Sequence, residues 1–281
     1  MYIMNLSFSY TKTIDTLLAN IEQYKSYFSH LVLSNNLDKE LREESRIAQT
    51  HYSTAIEGNS LSYDEVKSIL SNKKRKPKDR REREVINYYD ALLFLEDTKK
   101  SNTKLSLELI YKIHNIVERK GKLKNIPIRS PTPPGVLFAV YDSLTKTPSY
   151  IPPECNDIPD LLDELIHFYN TTDLPVVIKA CLIHYGFVTI HPYEDGNGRT
   201  ARLIANYILM LKDYDANGQL CVEKYFYEQL DDYYSSLSMN LSELYYDGRE
   251  NPPHLEIWVE YYSKIMEKNM HELVHKKDEK N

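Results

Sequence analysis

The sequence predicts a mainly α-helical fold with one small β-hairpin, and three observations carry this prediction. Apolar residues recur at spacings of three and four along most of the chain, which is the period of an amphipathic helix. Eight of the 13 prolines fall between Gly121 and Pro159, where no helical stripe is present. The 281 residues are 42% hydrophobic and 27% charged, which is typical of a globular protein.

The helices are predicted from the apolar spacing and from helix-ending signals. Gly58 is expected to end the second helix, and Ser62 with Glu65 forms a capping box at the third. The predicted helices cover residues 14–32, 38–57, 62–70, 83–95, 106–119, 157–169, 175–188, 199–211, 223–244 and 255–267. The charged tail from Lys268 onward is expected to fray.

The proline-rich stretch between these helices is predicted to hold the hairpin. Val136–Val140 has the composition of one short strand, and Ser149–Ile151 that of another. A long irregular stretch inside a compact domain is usually functional or disordered. We therefore expect a small hairpin with proline-rich flanks.

Composition argues against several classes of protein. No apolar run approaches the roughly 18 residues that a membrane span needs. The first residues lack the basic and small-residue features of a signal peptide. The three cysteines are odd in number, widely spaced and in no metal-binding pattern. A cytoplasmic protein without a membrane contact is expected.

The charge distribution makes nucleic acid an improbable partner. A net charge of −6 disfavours general binding to polyanions. The basic run 73–83 (KKRKPKDRRER) opposes that average. It is interpreted either as a solvated loop or as a surface for phosphate or a partner.

The stretch from His191 to Arg202, HPYEDGNGRTAR, carries the chemistry. Glycine is costly unless a positive φ or a close ligand approach requires it, and this chain has only eight glycines. A helix that begins near Asn197 would present unpaired N–H groups and a positive dipole end to an anion. Arg199 and Arg202, three residues apart on that helix, are predicted to lean toward the same phosphate.

Two further side chains complete this predicted phosphate site. Asp195 would repel phosphate unless a cation lay between them, and one carboxylate plus substrate phosphates is the usual way to hold Mg²⁺. His191 is the group here that can take up a proton near neutral pH. His184 is interpreted as a core histidine. The set predicts nucleotide or phosphoryl transfer.

These residues resemble the Fic family, whose signature is HPFx[D/E]GNGRxxR, with Tyr193 where phenylalanine is usual. The resemblance runs from about Arg83 to Trp258, although KLKNIPIR replaces the family's glycine-rich lead-in to the hairpin. It implies a helical core with a hairpin flap, an N-terminal helical extension, and transfer of AMP from ATP to a Ser, Thr or Tyr hydroxyl. It divides the chain into residues 1–95, a catalytic core of 96–267 and a tail of 268–281.

The resemblance also implies the role of each site residue. His191 would be the base, and Asp195 would hold Mg²⁺ on the α- and β-phosphates. Arg199 would support the β-phosphate and Arg202 the γ-phosphate. The flap would pair with a protein target, and self-modification and a homodimer are further possibilities. The remaining nucleotide-binding residues would be Gly196, Asn197, Gly198, Thr200, Ala201, Tyr233 and Tyr234, the last two beside the adenine.

An upstream segment resembles the family's inhibitory motif, [S/T]xxxE[G/N]. It is Ser53 to Gly58, at the end of the second predicted helix, where a carboxylate opposes the helix dipole unless a cation pairs with it. The resemblance implies that Glu57 takes Arg202 away from the γ-phosphate and that Ser53 adds a hydrogen bond. Alternatives are transfer of another nucleotide, phosphocholine or phosphate, removal of AMP, and a non-catalytic nucleic-acid or protein interaction module.

Overall fold

The computed structural model describes residues 4–72, 76–120, 126–141 and 147–278. The α-helices in these ranges are α1 (Lys12–His30), α2 (Asn35–Ile56), α3 (Tyr63–Ser71), α4 (Arg80–Lys100), α5 (Leu107–Val117), α6 (Ile158–Thr171), α7 (Val176–Ile190), α8 (Asn197–Met210), α9 (Val222–Glu228), α10 (Leu230–Ser238) and α11 (Glu256–Asp278). The strands are β1 (Val140–Tyr141) and β2 (Pro148–Tyr150). The predicted mainly helical fold is confirmed. Across the described ranges, no helix combines the length and the hydropathy that a bilayer crossing requires.

Helix α7 forms the centre of the molecule. It is apolar around its whole circumference, and such a helix is stable only when it is surrounded. Helices α6, α8 and α11 pack around it. Because α7 ends at Ile190 and α8 begins at Asn197, the loop that joins the two most closely packed helices carries the predicted site.

The N-terminal helices pack onto this centre and share its core. Helix α1 lies against α11, and α2 lies against α4 and α9. The buried residues Ile14, Ile21 and Phe28 of α1 belong to the same apolar cluster as α7. A second, smaller cluster joins α2, α3 and α4, and the predicted capping box of Ser62 and Glu65 begins α3. Residue 95, the predicted boundary between the N-terminal region and the catalytic core, lies inside α4. The division of the chain at that boundary stays a prediction.

The hairpin is shorter than the sequence predicts. Strand β1 pairs antiparallel with β2, and Val140 lies opposite Tyr150. Residues 136–139 are not a strand, so the predicted strand Val136–Val140 is wrong in extent. The chain turns there, because Gly135 has a φ of +81° and the Val136 N–H bonds to the Pro133 carbonyl at 3.0 Å. The tip, residues 142–146, lies outside the described residues.

Two predictions for the C-terminal region are wrong. The single helix 223–244 is two helices, because Gln229 departs from helical geometry with φ −124° and ψ 49°, and Met239 then ends α10 in the left-handed region. The tail does not fray at Lys268, since α11 continues and Met270 is fully buried. The Asn269 side chain also accepts the Cys221 N–H at 2.7 Å, which ties α11 to the start of α9.

Candidate active site

His191 ends helix α7, and its position there leaves one ring nitrogen able to accept a proton. Its backbone is left-handed, with φ 50° and ψ 59°, so the chain turns sharply out of the helix. Its Nδ1 lies 3.3 Å from the Val188 carbonyl oxygen, which can only accept, so Nδ1 carries the proton and Nε2 keeps its lone pair. Burial lowers the pKa of His191 to about 4, against which the Val188 carbonyl acts. The imidazole is therefore neutral at physiological pH.

The loop after His191 is held closed from within. Asn197 accepts the Tyr193 N–H at 3.0 Å through Oδ1 and donates to the Tyr193 carbonyl at 2.8 Å through Nδ2. The Tyr193 ring stacks on His114, with centroids 3.4 Å apart. The Asn197 side chain, predicted to cradle phosphate, is thus engaged in shaping the loop. Its contribution to an anion site would come from its backbone N–H.

The sequence predicts an anion site at the amino end of α8, and the structure places two glycines there. Gly196 precedes the helix with φ +79°, a conformation that L side chains rarely adopt. The first N–H groups of a helix have no partner within it. A Cβ at Gly198 would lie 2.3 Å from Oε1 of Glu57, so this glycine permits close approach of a carboxylate. An anionic group from α2 therefore already rests against the predicted phosphate cradle.

Arg202 is bound by the end of α2. Its Nη2 donates to Glu57 Oε1 at 2.7 Å and to the Ser53 carbonyl at 2.9 Å, and its Nε donates to Ser53 Oγ at 2.7 Å. The guanidinium side chain is 1% exposed, whereas the Glu57 side chain is 34% exposed. The predicted contact of Glu57 and Ser53 with Arg202 is present. In this ion pair, the Glu57 carboxylate remains accessible to solvent, whereas the Arg202 guanidinium is buried.

Arg199 and Arg202 do not point to one anion in this state. Arg199 is buried among three carboxylates instead, with Nη2 at 2.9 Å from Glu118 and 3.0 Å from Asp195, and Nη1 at 3.9 Å from Glu84. The predicted convergence of the two arginines is therefore absent here. The reason is tertiary: α2 supplies the partner for one arginine, and α4 and α5 supply partners for the other.

Asp195 has the chemistry of a Mg²⁺ ligand at the edge of the site. Its side chain is 48% exposed, and Oδ1 accepts the Gly196 N–H at 2.7 Å. Carboxylate oxygen is a ligand that Mg²⁺ prefers, and Mg²⁺ usually takes most other ligands from water and phosphate. Within the described residues no three His, Cys, Asp or Glu side chains converge in a way that could hold a metal alone. A single exposed carboxylate fits the predicted role.

The remaining predicted nucleotide residues are placed less directly. Thr200 is fully buried with its hydroxyl 3.2 Å from His114 Nδ1, and Ala201 is also buried, so neither side chain faces the loop opening. Tyr233 is buried with Oη at 3.0 Å from His184 Nε2, whereas Tyr234 is 48% exposed. The interpretation of His184 as a core histidine is confirmed. The adenine contact of the two tyrosines stays a prediction.

Sequence reasoning missed the residues that support the loop. Arg129 is 5% exposed, donates its backbone N–H to the Pro192 carbonyl at 2.9 Å, and donates Nε to the His191 carbonyl at 3.0 Å. It also bonds to the Pro153 carbonyl and lies over the Phe138 ring. Arg129 thus joins the loop that begins at His191 to the base of the hairpin. No local pattern marks Arg129, because its partners are backbone carbonyls distant in sequence.

Comparison with known proteins finds similarity to one family in the region that holds this site. Residues 104–209 match the sequence model of the Fic/DOC family. A crystal structure of a Fic family protein from Desulfovibrio desulfuricans G20 has a TM-score of 0.79 at 24% identity, covering 96% of this chain and 76% of that chain. Residues 104–209 therefore match the Fic/DOC family, as the signature predicts, and the chain shares the fold of that Fic family protein.

Its curated relatives carry the name protein adenylyltransferase. Fic-1 of Caenorhabditis elegans is 29% identical over 198 residues, which are 69% of this chain and 37% of that protein. The Fic protein adenylyltransferase of Nematostella vectensis is 30% identical over 176 residues, which are 60% of this chain and 38% of that protein. The matched region thus covers well under half of these relatives.

Proposed function

We propose that this protein transfers AMP from ATP to a hydroxyl group of a protein and releases pyrophosphate, and that Glu57 restrains this activity. The observation that carries the proposal is a neutral imidazole at His191 directly before a helix start that already receives an anionic group. The names of the relatives support the same activity. A cytoplasmic location, which rests on composition, is part of the proposal.

The reaction follows from the placement of the base. An incoming Ser, Thr or Tyr hydroxyl gives its proton to Nε2 of His191 as its oxygen forms a bond to the α-phosphorus of ATP. The bond from that phosphorus to the bridging oxygen of the β-phosphate breaks, and pyrophosphate leaves. A base with a pKa below neutrality stays unprotonated and ready at pH 7. His191 returns the proton to solvent after the product departs.

The phosphate-binding groups come from the start of α8. Gly196 and Gly198 allow close approach of phosphate oxygens to backbone N–H groups, and the helix dipole favours the negative charge. Arg199 and Arg202 would bind the β- and γ-phosphates once their present carboxylate partners give way. Mg²⁺ held by Asp195 would neutralise phosphate charge when bound. Positioning and charge neutralisation carry most of the catalysis in such transfers.

The restraint by Glu57 is a competition for one guanidinium. The carboxylate lies 2.7 Å from Arg202 and against Gly198, which is the space that a γ-phosphate would need. ATP bound beside it would hold its α-phosphate out of line with the incoming hydroxyl. A displacement of about 1 Å can reduce a rate on the order of a hundredfold. We therefore propose an inhibited resting state.

The hairpin region is the proposed docking surface for the target. Leu137 and Tyr141 are 55% and 61% exposed, and Phe138 lies 6.2 Å from His191 between ring centroids. An added peptide strand would gain main-chain hydrogen bonds and side-chain contacts there. A target held on this surface has its hydroxyl near Nε2. Self-modification and homodimer formation remain proposals that rest on the family resemblance.

The experiment is labelling with ATP that carries the label on its α-phosphate. The variant Glu57→Gly should label target proteins or itself at least tenfold more than wild type, because Arg202 is then free to hold the γ-phosphate. Glu228→Gly is the matched control, since Glu228 also lies at a helix end and its ion pair, with Lys224 at 3.8 Å, involves neither Arg202 nor the stretch 191–202. His191→Ala in the Glu57→Gly protein should abolish labelling.

The mass of the labelled product separates this activity from its alternatives. An increase equal to an adenylyl group supports AMP transfer, whereas a different mass indicates another donor. Loss of AMP from a modified protein would assign removal, with Glu57 acting on water. Equal labelling by wild type and Glu57→Gly would refute the restraint while leaving the transfer activity standing.

A further inference from the structure

The carboxylate of Asp195 is already paired with a cation from a distant helix. Arg80, in the first turn of α4, places Nη2 at 2.7 Å from Asp195 Oδ2. The other oxygen, Oδ1, lies 3.0 Å from Arg199 Nη2 and accepts the Gly196 N–H. Both oxygens that a metal ion would use therefore have donors. Arg80 belongs to the basic run 73–83, for which the proposed function gives no role.

Arg80 is held toward Asp195 by an ordered network. Its Nε donates to Glu84 Oε1 at 2.7 Å. The other oxygen of Glu84 accepts from the Asn59 side chain at 2.9 Å, and Asn59 also donates to the Arg81 carbonyl at 3.0 Å. Asn59 is 8% exposed and lies two residues after Glu57. The start of α4 and the segment after α2 thus orient a guanidinium that is itself 66% exposed.

We propose that Arg80 competes with a divalent cation for Asp195 and so forms a second restraint on the active site. The inference rests on the proposed function, because it assigns the cation to Asp195. A guanidinium on a carboxylate oxygen competes with a metal ion for its negative charge, and the two like charges at this distance repel each other. A cavity of about 90 Å³ adjoins Asp195, and its charged lining comprises three cations and three carboxylates: Arg80, Arg83, Lys120, Glu84, Glu118 and Asp195. Because these charges balance, the cavity offers a bare metal ion no net negative charge.

The restraint is suited to release by a nucleotide. The phosphates of ATP bring negative charge that both the metal ion and the arginines can bind. Arg80 can then pair with phosphate in place of Asp195. The pair is half exposed, and such pairs contribute modestly and are screened by salt. A metal ion accompanied by phosphate can therefore displace Arg80, whereas the bare ion is disfavoured.

The test measures Mn²⁺ affinity by electron paramagnetic resonance of the free ion. The affinity is measured for Mn²⁺ alone. The full chain carries Glu57→Gly and His191→Ala, so that the same protein can also be tested for ATP binding without turnover. Adding Arg80→Ala should tighten Mn²⁺ binding about two- to fivefold at low ionic strength, and this gain should shrink in high salt. Arg81→Ala is the matched control, because Arg81 is the adjacent residue, is also exposed, and pairs with Asp79 at 2.8 Å.

Three outcomes bear on the inference. The gain should vanish when Asp195→Ala is added, because Arg80 then has no carboxylate to release. An unchanged or weaker Mn²⁺ affinity in Arg80→Ala would overturn the inference, since Arg80 would then be neutral or would help to position Asp195. Calorimetry with ATP separates the proposed function: failure of the Glu57→Gly, His191→Ala protein to bind ATP would sink that function, while Mn²⁺ alone still tests Arg80.

Discussion

At the scale of single residues, the site depends on side chains whose charge state is set by burial. His191 is kept neutral by desolvation, and the nearby Arg129 also lowers its pKa. Glu57 acts in the opposite direction and raises it. Under the proposed restraint, removal of Glu57 frees Arg202 for the γ-phosphate. The accompanying fall in the His191 pKa leaves the imidazole neutral at pH 7, as it already is.

The lowered pKa of His191 gives a test that needs no nucleotide. Its value of about 4 lies below the ordinary 6.5, so the folded protein binds fewer protons than the unfolded chain between these two values. His191 should therefore subtract stability as the pH falls below about 6.5. In NMR spectra of histidine-labelled protein, assigned with His191→Ala, its ring proton should titrate with a midpoint below pH 5. A midpoint near 6.5 would contradict the neutral base.

Tyr193 carries a hydroxyl that is without a hydrogen-bond partner among the described residues. Burial of such a group costs free energy, so Tyr193→Phe should raise the free energy of unfolding by about 1 kcal/mol. Tyr207→Phe is the control with the opposite sign, because its hydroxyl donates to the Thr103 carbonyl. Urea unfolding measures both. A loss of stability in Tyr193→Phe would show that its hydroxyl has a partner.

At the scale of elements, the candidate site is built from the ends of helices. The end of α2 carries Ser53 and Glu57, and the start of α8 carries the glycines and Arg202. A carboxylate at a helix end is disfavoured by the dipole unless a cation pairs with it. Glu57 is thus held mainly by Arg202. Under the proposed restraint, this pairing keeps the guanidinium from the γ-phosphate of ATP.

The last turns of α11 act as part of the core. Met270 is fully buried within the main apolar cluster, so Met270→Ala should lower the free energy of unfolding by about 2–5 kcal/mol. Lys264→Ala, at an exposed position on the same helix, should change it by less than about 0.5 kcal/mol. Urea unfolding compares the two. Equal, small effects would indicate that the helix frays from Lys268 after all.

At the scale of the whole molecule, helix α2, which carries Ser53 and leads into Glu57, is built into the core. Its Gln49 accepts from Asn206 of α8 at 3.3 Å, and Asn206 donates to the buried Glu223 at 2.6 Å. Tyr88 of α4 donates to the same carboxylate at 3.3 Å. This polar network joins α2, α4, α8 and α9. The helix that carries Glu57 is therefore anchored to the core, and under the proposed restraint we expect its release to involve the Glu57 side chain and not the helix.

Packing between distant segments explains which predictions from sequence succeeded and which failed. Helix periodicity located most helices, and the signature located the start of α8 at Asn197. The roles of His191, Arg199 and Arg202 stay predictions. The pattern failed where a distant partner decides the outcome. Gln229 breaks a long helical pattern, Met270 is buried against other helices, and Val136 lies in a proline turn although its composition resembles a strand.

The sequence by itself determined the helical class, the glycines that open the start of α8, and the pairing of Glu57 with Arg202 as a hypothesis. The first two are local properties, because side-chain period and backbone freedom need no distant partner. The pairing joins residues 145 positions apart and was expected only from the resemblance of Ser53–Gly58 to a family motif. Only the tertiary structure decided that Arg199 lies among Glu118, Asp195 and Glu84, that Arg129 supports the His191 loop, and that Arg80 reaches Asp195. Each of these contacts joins segments far apart in the chain, and charge partners across such distances are chosen by how the helices pack.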